Sequence, residues 1–123
     1  MSLETQQKLQ QLMQMPADKR YSYLLEQAKA NQQLWILTDE HGSVMLNTED
    51  EDCVPVWPEQ GLAEYWATGE WADCKAQAIS LSDWLARWTP GLQSDDLFIV
   101  ASPNPDEAGL VLDPDMFDED LRR

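Results

Sequence analysis

Cys53, Cys74, His41 and two runs of carboxylates are the side chains of this chain whose types and spacing raise the question of chemistry. A cysteine nucleophile must be made a thiolate, usually by a nearby base, and His41 is the one histidine. It lies in "DEHGS", residues 39–43, which reads as an exposed turn, and nothing in the spacing brings either thiol to it. The runs "TEDED" at 48–52 and "DPDMFDED" at 113–120 have the oxygen ligands a divalent cation needs. Neither fits a calcium loop, because the first lacks the turn glycine and the second has Phe117 at a ligand position. The chain therefore reads as needing no metal and no cofactor. No G-x-S-x-G, H-E-x-x-H, phosphate-loop or G-x-G-x-x-G pattern occurs, which removes the usual support for hydrolase and nucleotide chemistry.

A different constellation sits in "ATGEWADCKAQAISLSDWLARW", residues 67–88, where Glu70 and Asp73 flank Trp71 and Asp73 adjoins Cys74. One chemical reading is an enzyme using Cys74 with Asp73 or Glu70, although no basic partner accompanies them. Trp71 belongs to no periodic element and has two readings. In one it plugs a sheet edge while the acids bond loop amides. In the other it anchors an interface rimmed by acids, which suits a basic partner. Glu70, Trp71 and Asp73, together with the strand residue Trp57, are the candidate binding residues; no residue is assigned as catalytic or as a metal ligand.

Charge narrows the partners. The chain of 123 residues carries a net charge of −15, and the first 30 residues hold three acids and four bases against twenty acids and four bases in the rest. The acidity belongs to the body, where it repels phosphate backbones and anionic lipid surfaces. No nucleic acid and no membrane are expected as partners, and a basic protein or a cation is what the field attracts; the alternative is acidity that only keeps the chain in solution. The N-terminus has no basic region followed by an apolar run, and nowhere do 18 apolar residues stand together. The reading is a cytoplasmic protein with reduced thiols, whose six tryptophans and 43% hydrophobic residues build a core without disulfides.

The elements that must position these side chains follow from periodicity. Leu3 to Gln14 is a helix with a thin apolar stripe, so residues 1–15 are expected to be peripheral to a single domain spanning 16–123. Ala17, Tyr21, Leu24, Leu25 and Ala28 recur at helical spacing after Pro16. Residues 34–38 and 44–47 read as a hairpin, and 53–57 as a strand whose Pro55 calls for an edge or a bulge. A helix over about 58–68 is closed by Gly69, a strand covers 74–79, and Ser80 with Asp83 caps a helix that Thr89, Pro90 and Gly91 end. "LFIVA" at 97–101 is a central strand, 110–112 pairs back on it, and Asp113 caps a terminal helix. The class is α+β: a mixed or antiparallel sheet of about five or six strands with helices packed mainly on one face.

The segment from Val54 to Leu121 resembles a bacterial family known as domain of unknown function twenty-seven fifty. The resemblance rests on "PVWP" at 55–58, "ATGEWADC" at 67–74, the I-x-L-x-x-W-L-x-x-W pattern from Ile79 to Trp88, and "PGL" at 90–92. With "RYSYLLEQA" and "LWILTDE" upstream it spans about residues 17–121. It implies no activity, cofactor or catalytic residue. The order of elements is also distantly similar to the N-terminal domain of the enhanced serine sensitivity protein B and to small immunity-type proteins, which implies an α+β fold and a binding role by analogy. The expected function is a small non-catalytic protein-binding module. The alternatives are an immunity protein that neutralises a basic toxin by mimicking phosphate charge, and the Cys74 enzyme.

Overall fold

The computed structural model describes residues 3–40, 42–47, 52–103 and 110–123, with the side chains of residues 3–6, 9, 47 and 70 excepted, and its fold is α+β. The readings made for His41 and for residues 48–51 lie outside the described residues. Helices α1 (Leu3–Gln14) and α2 (Ala17–Asn31) lead into strand β1 (Gln33–Asp39), followed by β2 (Gly42–Ser43), β3 (Leu46–Asn47) and β4 (Asp52–Val56). Helix α3 (Gln60–Trp66) and a 3-10 turn (Gly69–Trp71) precede β5 (Lys75–Ser80). Next come α4 (Leu81–Asp83), a π-helical segment (Trp84–Trp88), α5 (Thr89–Ser94), β6 (Phe98–Ala101), β7 (Leu110–Leu112) and α6 (Pro114–Arg122).

The strands divide into two sheets, ordered β2-β1-β5 and β3-β4-β6-β7. The arm expected to pair with β1 over 44–47 is split. Thr38 and Asp39 pair with Ser43 and Gly42, but Leu46 and Asn47 leave to pair with Cys53 and Asp52 of β4. The sheets meet where Trp35 and Trp57 exchange backbone hydrogen bonds, each N–H donating to the other's carbonyl at 2.9 Å.

Pro55 explains why the seam falls there. The Ser102 N–H donates to the Val56 carbonyl, so the backbone groups of Val56 face β6 while those of Trp57 face Trp35. Strand alternation puts the missing N–H of Pro55 on the Trp57 side, beyond the end of β3 at Cys53, where no ladder bond is forfeited. Although β4 lies inside its sheet, Pro55 occupies a local edge, which is the condition its chemistry sets.

Alternation also creates two cores. Leu34 and Ile36 join Val54, Val56, Ile99 and Ala101 beneath α2, the α4–α5 run and α6, which contribute Leu24, Ala28, Trp84, Leu92 and Phe117. The opposite face, with Leu37 and Trp57, is covered by Leu62, Ala63 and Trp66 of α3 and by Met13 of α1. Most helices thus pack on one face, and α1 and α3 close a smaller core on the other.

The helix that begins at Ser80, whose hydroxyl accepts the Asp83 N–H at 3.2 Å, does not end at Thr89–Pro90–Gly91 as the sequence pattern implies. It runs on to Ser94, because the Thr89 N–H reaches back to the Trp84 carbonyl and opens a π turn. Proline in a helix lacks a donor and crowds the carbonyl four residues back. The wider turn just before Pro90 relieves that crowding, and burial of Trp84 and Leu92 on either side favours continuing the helix over stopping it. Asp96, in the left-handed region at φ 56°, finally closes it with the Leu97 N–H on the Leu92 carbonyl at 2.9 Å.

Two phenols tie α2 to its neighbours. Tyr21 donates to Asp120 Oδ2 of α6 at 2.5 Å, and Tyr23 donates to Glu59 Oε2, before α3, at 2.6 Å. Partial burial, and then the bonded carboxylate, hold both phenols well above their ordinary range. A raised folded-state value means that this stability is present below the unfolded value of about 10 and is lost as the pH climbs through the folded one. Tyr21→Phe is expected to cost about 1–2 kcal/mol at neutral pH and to make the alkaline loss of stability less steep. Urea unfolding followed from neutral to alkaline pH checks both effects.

Candidate functional site

Residues 67–74 form a tight corner between α3 and β5. The Ala67 N–H closes α3 on the Ala63 and Glu64 carbonyls. Gly69 takes the left-handed conformation at φ 59° that its lack of a Cβ permits, starting the 3-10 turn. Backbone bonds from Trp71 to Thr68, Ala72 to Gly69 and Cys74 to Trp71, at 3.0, 3.2 and 3.0 Å, hold the rest.

This geometry sets the Trp71 ring 5.6 Å from Trp66, which lies 5.5 Å from Trp57. The three rings make a ladder from the core outward, with Trp57 at 0% exposure, Trp66 at 8% and Trp71 half-buried. Trp71 is therefore the outer rung of the smaller core, packed on one side and exposed over part of its surface. Trp57 is wholly interior, its Nε1 donating to the Pro103 carbonyl at 3.1 Å, so a partner cannot touch it in the folded chain. Asp73 is exposed beside the ladder's outer end, and the side chain of Glu70 lies outside the described residues.

A further acid arrives from β1. Pairing of Thr38 with Lys75 sets the end of β1 beside the start of β5, and Asp39 joins Asp73 in acting on Cys74. Burial, then the carboxylates of Asp39 and Asp73, push the Cys74 thiol up. That is the reverse of activation, since nucleophilic cysteines need a lowered value. Asp39 was missed in the sequence because it stood in a turn motif, and only the long-range β1–β5 register brings it here.

A groove of about 360 Å3 opens beside the π turn, lined by Met45, Val54, Arg87, Trp88, Gly91 and Asp95 among others. The i→i+5 bond places residues four apart nearly above one another, and Trp84 and Trp88 accordingly stack at 5.3 Å with their planes 10° apart. Gly91 leaves open space where a Cβ would stand. Met, Arg and Trp are residue types enriched at protein interfaces, and Met45 is 38% exposed. The signal for this groove was Pro90 inside a helical pattern, which reads as a terminator when taken alone.

A family model described as Protein of unknown function (DUF2750) matches residues 21–121. The chain belongs to the DUF2750 family. No curated protein and no solved structure matches it. The span matched by the DUF2750 model takes in all six tryptophans, both cysteines, the acidic corner and the groove, whereas α1 precedes it. Among the described residues of this DUF2750 protein no three His, Cys, Asp or Glu side chains gather as a metal site, and no helix is long and apolar enough to cross a membrane.

Two outcomes follow from the site's geometry. The pH profile of Cys74 alkylation, measured in a Cys53→Ser background, is expected to have its midpoint above the free-thiol value of about 8.5, and Asp73→Asn to bring it down. A midpoint at or below the free value would restore the thiol as a nucleophile. Gly91→Ala, at a helical position with room for the methyl, is expected to raise stability by about 0.5–1 kcal/mol, read by urea unfolding.

Proposed function

We propose that this DUF2750 protein is a non-catalytic binding module for a basic protein, contacted through the corner formed by Asp39, Trp71 and Asp73. The observation that carries the reading is the convergence of Asp39 and Asp73 on one small patch of a chain whose net charge is −15. Near this patch Lys75 is the one base in sequence between Gln32 and Ala86, so the field there stays negative. Trp71 adds an apolar surface held by Trp66, a rigid side chain that loses little freedom when a partner covers it. The raised thiol of Cys74 argues for binding over catalysis at the same place.

Attraction between exposed charges is screened beyond about 8 Å at physiological salt, so the contact is expected to be salt-labile. Affinity capture with the full chain should retain basic proteins at low salt and release them at high salt. Asp39→Asn with Asp73→Asn should reduce that retention several-fold, with the circular dichroism spectrum of the folded chain retained. Retention of nothing basic at low salt, or retention indifferent to the two substitutions, would remove the reading.

A further inference from the structure

Strand β5 is the longest edge strand among the described residues, bonded to β1 on one side and to no described residue on the other. The direction of its backbone groups can be read from β1. Trp35 exchanges bonds with Trp57, and the Leu37 carbonyl accepts the Val44 N–H, so the backbone groups of Trp35 and Leu37 point away from β5. These residues stand opposite Ala78 and Ala76, with Gln33 opposite Ser80. In an antiparallel pair, residues facing each other without exchanging bonds turn their N–H and C=O groups outward. Ala76 and Ala78 therefore turn their donors and acceptors, and Ser80 its N–H, to the side on which β5 bonds no described residue, the Ser80 carbonyl being taken by the helix it caps.

Natural edges are usually blunted by charge, proline, bulges or a covering element. Lys75 stands at one end of β5, and from Ala76 to Ser80 the strand holds no charge, no proline and no bulge. Helix α3 covers a face of this sheet and leaves the edge alone, since Ala76 packs into the smaller core while Gln77 and Ala78 are exposed. Exposed carboxylates stand just beyond each end of the strand, Asp73 before it and Asp83 after it.

We propose that the β5 edge is a docking strand on which an extended, basic segment of another protein adds as a further strand. This rests on the basic-partner reading above and gives it a backbone contact. The added strand takes up the outward groups of Ala76, Ala78 and Ser80, and its cationic side chains meet Asp73 and Asp83 at the ends. A second copy of this chain is a poorer occupant. Antiparallel pairing of two β5 edges sets Asp73 of one copy towards Asp83 of the other and brings two bodies of charge −15 together.

The outward N–H of Ala78 makes a selective test possible, because proline at an edge position that bonds nothing inward leaves the β1–β5 ladder intact. The probe is an acetylated and amidated peptide of alternating lysine and valine, long enough to span β5, titrated into the full chain at low salt. Ala78→Pro is expected to weaken binding about tenfold with the circular dichroism spectrum unchanged. The same peptide N-methylated at every second amide, titrated into the unsubstituted chain, is expected to lose as much, an arm that does not depend on how the variant folds. Unchanged binding in both arms would overturn strand addition while leaving a charge-based contact with basic partners standing. No binding of the unmethylated peptide would overturn the basic-partner reading as well. A concentration-dependent dimer, seen by sedimentation and dispersed by Ala78→Pro, would assign the edge to a second copy and also overturn the proposal.

Discussion

The reciprocal backbone pair between Trp35 and Trp57 is the joint on which the fold turns. Two short sheets, of three and four strands, would each leave an edge exposed at the seam, and two hydrogen bonds of 2.9 Å fasten one to the other there. Pro55 makes the joint possible by needing no partner on that side, so β4 can drop β3 and pick up β1 within four residues. The bridge also fixes the side on which Trp57 falls. Its ring enters the smaller core, its Nε1 is satisfied by Pro103, and Trp66 and Trp71 stack outward from it. The acidic corner is thus held by a line of aromatic contacts that begins at a backbone pair.

What the sequence discloses and what it hides divide along local and long-range interactions. Helix α2, the Ser80 cap, the left-handed Gly69 and the Asp113 cap of α6 are set by neighbours within a few residues, and pattern alone finds them, while the continuous apolar run of β6 marks it as buried between β4 and β7. The fate of residues 44–47 depends on whether β1 or β4 wins their pairing, a competition between segments that no local propensity decides. Pro90 is a terminator by its own chemistry, yet the helix passes through it because Trp84 and Leu92 both gain by burial and a π turn removes the clash. The two readings of Trp71 are both present in the sequence, and its contact with Trp66, which leaves the ring half-buried, is compatible with either.

Acidity at the corner does two things that share one cause. After burial, the carboxylates converging on Cys74 push its thiol up, and the same carboxylates make the patch attractive to cationic side chains. A site built for thiol catalysis would need the opposite field. Binding and thiol activation are therefore exclusive demands on Asp39 and Asp73, and the charge of the whole body reinforces the first.

The open edge of β5 follows from the same packing that seals the core. Ala76 is partly buried and packs against the smaller core, to which the aromatic ladder also belongs. A small side chain there also leaves room for another strand to approach the edge. Ala78, by contrast, is exposed and packs in neither core. Core packing therefore uses the side chain at 76 and not the one at 78, which stands at the centre of the outward-facing backbone groups. An edge without charge or proline at its centre is what the proposed strand addition requires.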